Sequence, residues 1–118
     1  MKIILVSRDL MFISRVKEVA LAHGHHAIIA KNSDALAQAV SSRAGDERGV
    51  LLMDLEKAPL SVSELQEVVR ALSPEHWTCI SFYSHVHLET AEEAKIAQLG
   101  QVMPRSRFVQ VLPQLCAV

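Results

Sequence analysis

Four short polar clusters hold the residues of this 118-residue chain that could do chemistry. They are Ser7, Arg8 and Asp9; Asp54 and Glu56; Tyr83, Ser84 and His85; and Arg105 with Ser106. Each follows closely on an apolar run, so polar groups stand at the ends of oily segments. The carboxylates can accept hydrogen bonds, cap a helix or pair with a cation, and the guanidinium groups of Arg8 and Arg105 can pair with a carboxylate or bind an anion.

Other chemistries lack their motifs. Neither G-x-G-x-x-G nor the P-loop pattern occurs, and the turn around Arg8 contains no Gly, so a bound nucleotide or flavin is not expected. There is no G-x-S-x-G elbow, and Ser84 beside His85 is no dyad without an orienting third group. No enzymatic activity is expected. Cys79 and Cys116 match no metal spacing, and two isolated thiols suit a reducing cytoplasm better than a disulfide framework.

The elements that position the clusters follow from the apolar periods. Residues 2–7, 26–30, 50–53, 78–83 and 101–103 are short apolar runs, the pattern of strands covered on both faces. Between them lie helical periodicities. Met11, Phe12, Val16, Val19 and Ala20 recur up to His23, with Gly24 as a stop and Ser7 or Asp9 as a cap. Ser33 and Asp34 cap a second helix, and residues 41–49 read as a frayed end and loop. A third helix starts at residues 61–63, a fourth covers 89–99, and a last one covers 108–116, weakened or kinked at Pro113.

Five strands alternating with five helices predict one α/β domain over residues 1–118, a three-layer, flavodoxin-like (βα)5 fold. Its five-stranded parallel sheet is expected in the order 2-1-3-4-5. In such a sheet ligands bind beyond the carboxyl ends of the strands, where strand order reverses. That rule gathers Ser7, Arg8, Asp9, Asp54, Glu56, Tyr83, Ser84 and Arg105 into one crevice. It also separates His23, His25 and His26 from His85 and His87 at opposite edges, so no histidine metal site is expected.

Twelve basic and thirteen acidic residues give a net charge of −1, which argues against gripping nucleic acid through its phosphates. No run of about twenty apolar residues predicts a membrane span. The N-terminal stretch is too short for a secretory signal, and a cytoplasmic location is expected.

The layout resembles the receiver domain of two-component response regulators over nearly the whole chain. The resemblance places the phosphoacceptor on Asp54 in LLMDLEKAPLS and the acidic pair after the first strand on Ser7 and Arg8, with Asp9 next to them. It places the hydroxyl residue on Tyr83 or Ser84 and the lysine on Arg105 in MPRSRF. Replacement of the acidic pair removes magnesium ligands and brings in a cation, so this implies a degenerate receiver, or pseudo-receiver, with no cofactor and little magnesium binding. Arg8 is expected to reach Asp54 and supply the missing positive charge, while Asp9 is expected to point elsewhere.

Two functions follow from the resemblance. The first is a phosphorylation-independent signalling module acting by protein–protein contact, with a partner or a homodimer on the face of helix four, strand five and helix five (residues 87–99, 101–103 and 106–118). With no DNA-binding domain after Val118, output is expected to come from another protein or from self-association. The second is a single-domain phosphorelay receiver still phosphorylated on Asp54, with Asp9 and Glu56 as unusual metal ligands. A third reading, read from the residues alone, is a sensor whose Arg8 and Arg105 bind a small anion.

Overall fold

The apolar runs form strands and the periodic segments between them form helices. The chain runs β1 (Lys2–Val6), α1 (Leu10–Ala22), β2 (Ala27–Ile29), α2 (Ser33–Ser41), β3 (Gly49–Asp54), α3 (Val62–Arg70), β4 (Trp77–Tyr83), α4 (Leu88–Ile96), β5 (Gln101–Pro104) and α5 (Arg105–Cys116). This computed structural model describes residues 1–45, 47–84 and 88–117. His85 and His87, considered above as metal ligands, and Val118 lie outside the described residues. The sheet is parallel throughout, in the order β2-β1-β3-β4-β5, as expected.

Alternation along the strands divides the core in two. Ile4, Val6, Leu51 and Met53 pack with Leu36, Leu65 and Ala94 of α2, α3 and α4. Ile3, Leu5, Leu52, Ile80 and Phe82 pack on the other face with Phe12, Val16 and Ala20 of α1 and Phe108 and Leu112 of α5. Helices α1 and α4 therefore lie on opposite faces of the sheet.

The boundaries that matter for function differ from expectation at two helices. Asn32, rather than Ser33 or Asp34, caps α2 by accepting from the Ala35 N–H at 2.7 Å. Helix α5 begins at Arg105, three residues before its first buried apolar side chain, Phe108. It also runs on through Pro113, which is exposed and close to the helix end, where the missing N–H costs one late hydrogen bond.

Gly100 closes the tight junction between α4 and β5. It has φ +80°, and a Cβ there would stand 2.2 Å from the Cys79 carbonyl oxygen. Gly24 has the same φ of +80° with nothing within 4 Å of such a Cβ. Replacing each by Ala separates backbone strain from collision. Gly24→Ala is expected to cost about 1 kcal/mol, the left-handed penalty alone. Gly100→Ala is expected to cost about 3 kcal/mol or more, because strand β4 must move as well. Urea unfolding of the two variants measures the difference.

Candidate functional site

Asp54, the last residue of β3, is fully buried at the carboxyl edge of the sheet. A buried carboxylate has to be met by donors, and each of its oxygens is. Oδ1 accepts from the backbone N–H of Glu56 at 3.1 Å and of Lys57 at 3.2 Å, which folds the chain back after the strand. Oδ2 accepts from the Ser7 hydroxyl at 2.9 Å and lies 3.6 Å from Nη2 of Arg105. Ser7 is itself buried just beyond β1, and its Oγ also accepts from the Asp9 N–H at 3.1 Å.

Asp9 caps α1, its Oδ1 accepting from the N–H groups of Met11 and Phe12 at 3.1 and 3.2 Å. That cap aims Oδ2 back over the sheet edge, 3.6 Å from the same Nη2 of Arg105. Two carboxylates thus converge on one guanidinium. Arg105 opens α5, an end where the helix dipole disfavours a cation. The two carboxylates and a cation–π contact, with Cζ 4.9 Å from the centroid of Phe12, offset that penalty.

Phe12, Phe82 and Phe108 stack on one another at centroid distances of 4.3 to 5.6 Å, joining α1, β4 and α5 under the site. The loops above are tied together too. The Arg8 N–H donates to the Lys57 carbonyl at 2.7 Å, and Glu56 Oε1 accepts from the Ser84 N–H.

The expected Arg8–Asp54 pair is not present. The Arg8 side chain is exposed and lines a cavity of about 270 Å³ with Ser7, Leu10, Ile13 and Lys31, on the α1 side of the crevice. The cation beside Asp54 is Arg105 instead. The expectation for Asp9 is likewise corrected: its helix cap turns it toward the crevice and the same arginine. Arg8 lines that cavity, whereas Arg105 lies between the carboxylates of Asp9 and Asp54. Tyr83 is half-buried at the end of β4, and Ser84 contributes its backbone N–H rather than its hydroxyl to the contacts described.

Among the described residues no group of three His, Cys, Asp or Glu side chains is placed to hold a metal ion. Burial pushes the Cys79 thiol up to about 11, leaving it protonated and a poor nucleophile at neutral pH.

Arg105 is 35% exposed and its Nε is buried without an acceptor among the described residues, so the pair works partly in water and with one donor unmet. A double-mutant cycle is expected to give about 1–2 kcal/mol of coupling between Arg105→Ala and Asp54→Ala in urea unfolding. Arg8→Ala should change stability by no more than about 0.5 kcal/mol and show no coupling to Asp54.

No protein-family model matches the sequence, and no curated protein matches it. Solved structures do match. The receiver domain of NtrX from Brucella abortus superposes with a TM-score of 0.70 at 17% identity, covering 98% of each chain. A longer structure of NtrX from the same organism gives a TM-score of 0.71 at 17% identity, with 98% of this chain matching 26% of that one. A response regulator receiver domain protein from Clostridium thermocellum gives 0.68 at 16% identity, over 98% of this chain and 93% of that one. The fold of this chain is that of response regulator receiver domains.

Proposed function

We propose that the chain is a response-regulator-like signalling module that works without phosphorylation, has no catalytic activity of its own and passes its signal by protein contact. The observation that carries this reading is the Arg105 guanidinium 3.6 Å from both Asp9 and Asp54. A receiver of the working kind needs a Mg²⁺ held by carboxylates beside its phosphoacceptor. That ion demands near-octahedral oxygen ligands and gives up water reluctantly.

Here the donor set does not fit it. On the resemblance, Ser7 and Arg8 take the places of the acidic pair; one Asp54 oxygen is engaged by two backbone N–H groups, and the other by a hydroxyl and a cation. Nearby positive charge is then supplied by the chain itself. The partner surface on this reading is the face of α4, β5 and α5, where Glu89, Glu92 and Glu93 are exposed and Val109 and Leu115 are half-buried. A cytoplasmic setting suits such a module and its two free thiols.

One observation favours a second reading. Asp54 keeps its carboxylate at the strand end with Asp9 close by, so a chain in which Arg105 swings away would present two carboxylates to a cation. Incubation with acetyl phosphate and Mg²⁺, read by intact mass, separates the two. The expected outcome is no added phosphoryl group, and no saturable Mg²⁺ heat below about 1 mM in calorimetry. A phosphoryl adduct that disappears in Asp54→Asn would establish the second reading instead.

A further inference from the structure

Helices α1 and α4 carry exposed faces of opposite charge, each with large apolar side chains left in water. On α1 the outward residues are Leu10, Met11, Ser14, Arg15, Lys17, Glu18 and Leu21, with Leu10 78%, Met11 86% and Leu21 60% exposed. Leu10, Lys17 and Leu21 fall on one stripe by helical spacing. At its N-terminal end Arg8 and Lys31 rim the cavity of about 270 Å³ walled by Leu10 and Ile13.

On α4 the outward residues are Leu88, Glu89, Glu92, Glu93, Lys95 and Ile96, with Leu88 68% and Ile96 80% exposed. Leu88, Glu92 and Ile96 follow one another at four-residue spacing and form a single stripe flanked by Glu89 and Glu93. One face is a basic rim around an apolar hollow. The other is an acidic ridge with an apolar knob at each end.

We propose that these faces bind each other between two copies of this chain, α4 of one on α1 of the next. An apolar knob of α4 enters the hollow beside Leu10 and Ile13, while Glu92 and Glu93 approach Lys17, Lys31 and Arg8. The inference takes its α4 half from the partner surface proposed above and rests on that reading to that extent; the α1 half is independent of it. The two faces look away from opposite sides of the sheet, so one flat interface cannot contain both. The contact is therefore heterologous. Each copy that joins leaves one α1 and one α4 free, and association grows past the dimer as a ring or open chain. A helix-on-helix contact is small, so the affinity belongs in the weak, transient range. Its strength depends on salt, because the paired charges are exposed.

Sedimentation velocity of the full chain from about 10 µM to 1 mM in low salt is expected to show species growing beyond the dimer, weakened about tenfold or more at about 0.5 M salt. Two charge-reversed chains carry the decisive test. One has Lys17→Glu with Lys31→Glu, and the other has Glu92→Lys with Glu93→Lys; all four positions are exposed, and circular dichroism checks that both chains fold. Each alone should stay monomeric, since its two faces repel. Mixed together they should associate again, because each reversed face meets a complementary one.

A monomer at every concentration overturns the proposal. So does association lost on the α4 reversal but unchanged by the α1 reversal, which would mean a symmetric dimer through α4. Failure of the mixture to associate, or a monomer whose α1 face binds anionic-lipid vesicles instead, overturns it as well. Intact mass after acetyl phosphate treatment of the same samples reports separately on Asp54, so loss of either reading leaves the other measured.

Discussion

A carboxylate sealed from water must find all its partners within the chain, and Asp54 places that demand on four segments at once. The β3–α3 turn must fold back far enough to present the N–H groups of Glu56 and Lys57. The end of β1 must deliver a small hydroxyl residue, Ser7, because the group there is buried against the carboxylate. Helix α5 must start early enough for Arg105 to reach across the sheet edge. Asp9 must cap α1 in a way that leaves one oxygen free for that arginine. Isolated, an ionised carboxylate here would carry a desolvation cost of several kcal/mol. The local geometry of the crevice is the set of contacts that prevents it.

Much of this was legible in the residues. The switch between short apolar runs and helical periods identifies five strands, and parallel pairing with right-handed crossovers leaves little choice of order. The place of Asp54 at the carboxyl edge of the sheet was legible because it directly follows the wholly apolar run VLLM. What could not be read was which arginine meets it. Arg8 is close in sequence to the reversal point, but it follows Ser7 by one residue and its side chain is carried outward. Arg105 depends on where α5 begins, and RSR has no apolar period to announce a helix before Phe108. The reach of Asp9 was hidden for a similar reason. An N-cap engages one carboxylate oxygen, and the direction left to the other follows from the entry angle of the helix, which a sequence pattern does not express.

The two halves of the core treat the site differently. Beneath the crevice on the α1 and α5 side lies a stack of three phenylalanines, with the guanidinium resting on one of them. Close-packed interiors have low compressibility, and each aromatic pair adds about 0.5–1.5 kcal/mol beyond the area it buries. On the opposite side α4 is held by small residues, Ala91 and Ala94, whose burial leaves its outward surface polar and apolar by turns. The Arg105 guanidinium thus rests on the aromatic side of the core, while α4 on the other side packs through alanines.

Arg105 is covalently part of the chain, and that has a consequence for control. A bound ion is a variable: it can be supplied, competed away or chelated, and a site that uses one responds to the medium. A guanidinium on a tether has a fixed local concentration and no exchange partner. On the function proposed above, the crevice draws its charge balance from the polypeptide rather than from a dissolved ion. On that same proposal, the information such a domain carries arrives through how much of it is made and what it touches.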